Sequence, residues 1–578
     1  MNKPTPAIVA QSAVRRMPRL ALLLLCAAYL LPGLLGRGPW KSADVASFGY
    51  MAELARAGTG IARWFDPLLL NLRPESPALL PYWIGAAAIK LAPSWIHPDL
   101  AVRIVFALML WGVFTVTWYA VYFLARTPGA QPVAFAFGGE ARPKDYARAI
   151  ADGALLALLA CLGLAQLGHE TTPALAQLFF ISHIFFGVAA LPYRPIGALT
   201  ALAIGVLGMT LSGGPAVGLA LGIGSVAVVA LDRRRMKRAQ TSDDVRPYTG
   251  MALPAIAGLT VLAVAVGIGL DLWRWQIALP GSHANRSLWI DVRSQIKLLL
   301  WFTWPAWPLA IWTLWRWRRQ LMARHVALPL WFALVPLLAT WTTDFSERSL
   351  LLALPAFATL SAFALPTLRR SVAALIDWFT LLFFSGSALI IWAYWIAMQT
   401  GWPPKMAGSV ARLTPGYMPT ISWLGLFFAV AATVAWCWMV RWRTGRHRSA
   451  LWKTLVLPAG GAALCWLLGM TLWLPALDHA LSYGPQVRAI ADRIGQPQPA
   501  CVGELGLSRP HIAALRHHGD FNLAPIAGDS KCPWLIVSAD AISALHNSVQ
   551  LDQWRLIGTF RRQTSASDDL LLYQRITP

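Results

Sequence analysis

The sequence predicts an all-α polytopic membrane protein, with a small α/β domain at its C-terminal end. Composition, the spacing of apolar runs and a change of texture near the end predict it. Hydrophobic residues make up 57% of the 578 positions and charged residues only 13%, and the mean hydropathy is +0.52. A soluble domain carries about a quarter charged residues, so this chain has too few to coat a water-facing surface. The deficit recurs along most of the length, which calls for many spans rather than one anchor. The 30 Trp fit the same class, because indole prefers the membrane–water boundary.

The formal net charge of +23 raises nucleic acid as a partner, and its distribution argues against it. Basic residues sit in short clusters between apolar runs, such as 232–238 (DRRRMKR) and 441–448 (RWRTGRHR). Lys and Arg take that placement where they hold loops in the cytoplasm beside anionic lipid. Membrane lipids are therefore the expected partners of this charge.

A spanning helix needs about 20 mostly apolar residues. The first candidate, 20–35, follows Arg15, Arg16 and Arg19 and lacks a small-x-small cleavage site at Leu35-Gly36-Arg37-Gly38-Pro39. It reads as a retained helix with its N-terminus inside. Further spans follow at 100–125, 149–168, 174–192, 196–212, 215–231, 250–270, 296–315, 326–341, 349–367, 371–398, 419–440 and 454–474. The total is about thirteen on that criterion. Alternate loops carry the basic clusters at 142–148, 233–238, 316–324, 369–370 and 441–448, and the intervening ones at 169–173 and 212–215 carry almost none. This register obeys the positive-inside rule and places the loop 36–99 and the tail outside, on the face opposite the N-terminus.

The division expected is a membrane domain over 1–474 and an outer α/β domain over 475–578. In the tail, 483–495 reads as an amphipathic helix, and 500–502, 534–538 and 570–573 read as short strands. Cys26, Cys161, Cys437 and Cys465 lie in apolar runs and read as packing residues. Cys501 and Cys532 lie in this outer, oxidising region, either as a disulfide or as two buried thiols.

A connection as long as 36–99 is functional or disordered, and this one is not low in complexity. Over 43–57 (ADVASFGYMAELARA), Phe48, Met51, Leu54 and Ala55 share a helical face suited to the membrane interface. The apolar stretch 79–91 is too short to span comfortably. Asp44 begins the helix, either as a first-turn acid favoured by the helix dipole or as a carboxylate that takes a proton or holds a metal.

The order of these features resembles the GT-C class of membrane glycosyltransferases, and within it glycosyltransferase family 39, the group of the protein mannosyltransferases and lipid A aminoarabinose transferases. The family's first outer loop reads D-E, then E-K-P-P-L-x-Y-W. Here Asp44, Ala52-Glu53 and Glu75-Ser76-Pro77-Ala78-Leu79-Leu80-Pro81-Tyr82-Trp83 stand in those places. The segment 331–355 is similar to the family's W-F-x-x-P-x-L-x-F-S…K/R-x-x-Y-x-L-P, with Leu for its Tyr. The sequence departs from the family at Val45, where a second acid is expected, and at Ser76, where the family has a site Lys. Both departures point to a divergent specificity.

The resemblance implies transfer of a sugar from a polyprenyl-phosphate donor to a lipid, glycan or protein acceptor, with inversion. Asp44 matches the catalytic acid and is the expected base or acceptor-orienting group. Cations are expected at the leaving phosphate: Arg348 first, by its place in the family's segment, with Lys41, Arg63, Arg73, Arg286 and Arg293 as further candidates beside Arg37 and Arg56. Each of these except Arg348 reads more readily as a snorkelling interface residue. His169, Glu170 and Tyr82 are expected to face the same cavity, or, for the first two, to cap adjoining helices. Glu75 with His283 or His169 is a candidate divalent-metal pair.

An oligosaccharyltransferase or O-antigen ligase is the nearest enzymatic rival. A transporter or flippase of envelope substrates is the alternative from another class. It would place ionisable residues near the bilayer midplane, where this sequence has few.

Overall fold

The computed structural model describes residues 5–56, 60–238, 250–273, 288–342, 347–444, 450–497, 499–526, 532–562 and 565–576. In chain order its helices begin with α1 (Arg19–Leu30), α2 (Ser42–Ala55), α3 (Ile61–Phe65), α4 (Leu80–Leu91), α5 (Pro98–Ala125), α6 (Pro143–Ala160), α7 (Leu162–Leu167) and α8 (Pro173–Ala190). They continue with α9 (Pro195–Leu211), α10 (Pro215–Arg238), α11 (Ala252–Gly269), α12 (Leu288–Phe302), α13 (Ala306–Arg316), α14 (Arg324–Thr342), α15 (Glu347–Leu351) and α16 (Leu354–Ala364). The membrane body ends with α17 (Arg370–Thr400), α18 (Pro404–Leu413), α19 (Trp423–Thr444) and α20 (Lys453–Leu472). Helices α5, α6, α8, α9 and α10 all open on Pro. Proline suits a first helical position, where its missing N–H had no intrahelical acceptor.

Each expected span falls on a helix, with differences in continuity. The stretch 149–168 breaks between α6 and α7, where Cys161 is extended and Leu162 N–H donates to Trp304 O at 3.3 Å. The stretch 296–315 breaks at Thr303–Pro305, and 349–367 breaks between α15 and α16. Among the described residues, seven helices are long and apolar enough to cross a membrane on their own. Helix α1 is shorter than expected, because it stops at Leu30 before Pro32 and Gly33. Helices α17 and α19 hold Trp378, Leu382, Leu389, Phe427 and Trp438 outward, the inside-out pattern of helices solvated by lipid tails.

The loops gather at two ends. At one end Arg16 pairs with Asp145 at 3.2 Å, Arg235 donates to Met322 O at 2.7 Å, Arg324 lies 3.8 Å from Asp232, and Trp452 Nε1 donates to Arg15 O at 2.7 Å. These contacts join the N-terminal segment to the 142–148 loop and to Trp452, and the 232–238 cluster to the 316–324 loop. At the other end stand the first loop, the turns before α8 and α10, α15 and the C-terminal domain.

That domain follows α21 (Leu474–Leu481) and α22 (Gly484–Ile494). It comprises β1 (Val502–Leu505), α23 (Arg509–His518), β2 (Leu523–Pro525), β3 (Trp534–Ser538), α24 (Ile542–Ser548), β4 (Trp554–Arg562) and β5 (Ser565–Arg575). The sheet order is β2-β1-β3-β5-β4, with β1 parallel to β2 and β3, and β5 antiparallel to β3 and β4. Cys501 is bonded to Cys532, tying the start of β1 to the start of β3. The expected helix and the strands at 534–538 and 570–573 recur here, the strand expected at 500–502 begins only at Val502, and α23, β2, α24 and β4 add to them.

Helix α2 differs from the expectation of an interface helix. Phe48, Met51 and Leu54 are buried as foreseen, and so are Asp44, Val45, Ser47 and Tyr50 on its other sides. It packs between α4 and α23, so the C-terminal domain rather than lipid covers it. Gly49 permits the contact, since a Cβ there would stand 2.5 Å from Ala513 Cβ. A cavity of about 290 Å³ remains beside this junction, lined by Phe48, Ala52, Glu53, Arg56, Arg516 and His517 among others.

Candidate active site

Lys41 is the N-cap of α2 and Asp44 lies in its first turn, where the helix dipole favours a carboxylate. The side chain does not cap its own helix. Asp44 is 3% exposed, and its Oδ1 accepts from Thr171 N–H at 2.7 Å and Thr171 Oγ1–H at 2.6 Å. The turn Gly168–Thr172 that supplies these donors joins α7 to α8. Arg37 fixes it, donating through Nε to Gly33 O at 2.7 Å and through Nη2 to His169 O. Burial lowers the Arg37 pKa, and the nearby Asp44, Glu170 and Asp478 carboxylates counteract that fall.

Glu170 is the second buried acid. Its Oε2 accepts from Arg348 Nη2 at 3.2 Å, and its Oε1 lies 4.0 Å from Lys41 Nζ. Lys41 also stands 3.9 Å from Glu347. Burial first, and the Asp44 charge second, push the Glu170 carboxyl up to about 7, while Arg348 and Lys41 pull it down. The result is a buried pair of acids beside two cations. A third of the Arg348 side chain and two fifths of the Lys41 side chain stay exposed. A carboxylate, a group poised to exchange a proton near neutral pH and two outward cations suit an acceptor hydroxyl or phosphate approaching an anionic leaving group.

His169 turns away from Asp44. Its Nδ1 and Nε2 lie 2.6 Å from Ala165 O and 3.1 Å from Tyr29 O, and its ring lies 4.5 Å from that of Trp466. Burial, with Arg37 adding to it, lowers its pKa to about 4, so a neutral imidazole braces the turn. The expectation that His169 shares a cavity with Asp44 is corrected on that ground.

Tyr82 is buried against Tyr50 with ring centroids 5.4 Å apart. Glu75 belongs to a separate cluster, accepting from Arg509 Nη1 of α23 at 3.3 Å. Arg509 Nε also donates to Arg73 O at 2.7 Å. Glu75 thus faces a guanidinium, and among the described residues no group of three or more His, Cys, Asp or Glu converges as metal ligands. Arg73 pairs with Asp66 at 2.8 Å, and Arg63 is exposed on α3. Arg293 is exposed on α12 and makes no ion pair with the Asp44–Glu170 cluster among the described residues. His283 and Arg286 lie outside the described residues.

The structure therefore brings Lys41, Asp44, Glu170 and Arg348 together, and leaves Arg63, Arg73 and Glu75 apart from them. Sequence reasoning missed Thr171, whose signal was the T-T-P start of α8. It also missed Asp478 of α21, whose Oδ1 accepts from Gly38 N–H at 3.0 Å and Trp40 Nε1–H at 2.7 Å.

A helical membrane body, a buried acid in the first outer loop and a covering α/β domain define a polytopic membrane protein of GT-C-like fold. Two solved structures of ArnT from Cupriavidus metallidurans share that fold. The one bound to undecaprenyl phosphate has a TM-score of 0.61 at 14% identity, covering 96% of this chain and 97% of that one. The apo one has a TM-score of 0.59 at the same identity and coverage. No family model and no curated protein matches the sequence.

Proposed function

We propose that this chain is an integral membrane glycosyltransferase that moves a sugar from a polyprenyl-phosphate donor to a lipid, glycan or protein acceptor. The observation that carries this reading is the convergence of Asp44, Glu170, Lys41 and Arg348 from three separate parts of the sequence at one end of an ArnT-like fold. The undecaprenyl phosphate named with the first ArnT structure supports a donor of that class. The membrane body 1–474 carries the site and 475–578 forms the outer domain. The N-terminus and the basic loops lie in the cytoplasm of a bacterial inner membrane, with the Asp44 end in the periplasm.

In this reading the acceptor oxygen attacks the anomeric carbon and passes its proton to Asp44. The bond between that carbon and the phosphate oxygen breaks, and the configuration inverts. Thr171 fixes the direction of the Asp44 carboxylate through two hydrogen bonds. Lys41 and Arg348 stabilise the charge on the departing lipid phosphate, and Glu170 holds both in place until the donor arrives. The transporter alternative has less support, because the charges that converge lie at helix ends beneath the outer domain.

The test uses purified protein in lipid with radiolabelled polyprenyl-phosphate sugars. Asp44→Asn, with its fold intact, is expected to lower turnover by about 10²–10⁴-fold, the range of a lost general base. Undiminished transfer by the variant would remove Asp44 from the chemistry. A wild type that consumes no donor would overturn the glycosyltransferase reading.

A further inference from the structure

The segment Gly36–Lys41 leads into α2 without helix or strand of its own, yet Lys41 and Asp44 follow directly from its path. Contacts to the C-terminal region fix that path. One oxygen of Asp478 receives both Gly38 N–H and Trp40 Nε1–H, at 3.0 and 2.7 Å. Trp40 is 5% exposed, and the Arg37 guanidinium lies 5.0 Å from its ring centre. Arg562 of β4 donates to Trp40 O at 3.1 Å and Leu481 O at 2.7 Å, and lies 3.8 Å over the Tyr483 ring. The Tyr483 hydroxyl in turn lies 3.3 Å from Ser42 Oγ, on the first turn of α2.

We propose that Asp478 is a positioning residue for the site: by gathering Gly38 and Trp40 on one carboxylate oxygen, it sets where Lys41 and Asp44 stand. The proposal rests on the glycosyltransferase reading for its effect on turnover, though not for its effect on the segment itself. It also assigns α21, which leads into the outer domain, a part in building the site. The hydrogen bonds are the operative feature rather than the charge, because both donors meet a single oxygen that an amide retains.

The experiment compares Asp478→Ala, Asp478→Asn and wild type in lipid. It measures donor turnover across pH and amide hydrogen exchange over residues 37–44. Asp478→Ala is expected to lower kcat by roughly 10–100-fold, the scale of an ångström-sized misplacement, with little change in the donor KM. The acid limb of its pH–rate profile, which Glu170 is expected to set, should move to higher pH as Lys41 leaves that carboxylate, and exchange over 37–44 should quicken. Asp478→Asn is expected to recover most of the rate and the wild-type limb. A purely structural role predicts less folded protein with an unchanged limb and unchanged kcat per folded molecule, and that result overturns the proposal. Equal damage in Asn and Ala also overturns it, since charge would then be the cause. If the wild type transfers no sugar, the functional reading fails and exchange alone decides: unchanged protection in Asp478→Ala defeats the positioning role.

Discussion

At the scale of single residues, Glu170 gives the site a pH dependence whose sign can be worked out. Its carboxyl is pushed up to about 7, mainly by burial. Below that value it takes a proton and releases its charge pairing with Arg348 and Lys41. The kcat/KM of the wild type is therefore expected to fall on the acid side of about 7, and a rate profile between pH 5 and 9 checks this. Stability runs the other way. Because the folded-state pKa lies above the ordinary 4.5, the stability this group contributes is complete below 4.5 and is lost as pH rises through about 7. Glu170→Gln should abolish this acid limb and flatten the stability profile over the same window. Asp44→Asn should move the Glu170 titration to lower pH, since the Asp44 charge is one of the causes of its rise.

Residue-level legibility was uneven for a physical reason. Asp44, Glu170 and Arg348 were legible through the places they hold in segments resembling glycosyltransferase family 39, and Lys41 as one of several cations in the first loop. The inward turn of His169 left no such trace. An imidazole that meets two backbone carbonyls has the same sequence signature as one that meets a ligand.

At the scale of elements, α2 shows how a correct helix can carry a wrong environment. Its apolar face was legible, and its contact with α23 was not. The ten residues of α23 include Arg, His and Pro and read as polar tail, while Gly49, where the two helices meet, looks like any helical glycine. The contact yields a prediction. Gly49→Val would drive side-chain atoms into the Ala513 Cβ and backbone, at an expected cost of about 1–3 kcal/mol. Thermal unfolding and protease release of the outer domain both report that loosening. Glu53 makes the junction sensitive to charge as well, since it pairs with Arg56 at 2.7 Å and with Arg516. Its side chain is 12% exposed and that of Arg516 15%, so Glu53→Ala would leave a largely buried cation without its carboxylate. Such a loss costs about 3–5 kcal/mol.

At the scale of the whole molecule, the separation of basic loops from the Asp44 end predicts a topology. A periplasm-dependent phosphatase fused after Pro578 should be active, and one fused after Arg238 at the end of α10 should be inactive. The reverse pattern would invert the orientation. The disulfide supplies a second test at this scale. Removing the Cys501–Cys532 link, which closes a separation of 31 residues, should cost the outer domain about 2–4 kcal/mol and lower its unfolding temperature. The thirteen apolar runs, each of which falls on a helix, were readable from hydropathy alone, because lipid demands apolar length. The breaks within three of them were not, since they depend on which neighbouring helix accepts the freed backbone groups.

The contacts of Gly38 and Trp40 with Asp478 join positions about 440 residues apart. During synthesis, Asp44 leaves the ribosome, and on the proposed topology crosses the membrane, long before its final partners have been translated. A polypeptide released early, or one whose last domain fails to cross, would carry every charged group of the centre and still lack the clasp that aligns them. On the proposed function, such a fragment would be inert, and the order of translation would hold back transfer until the molecule is finished.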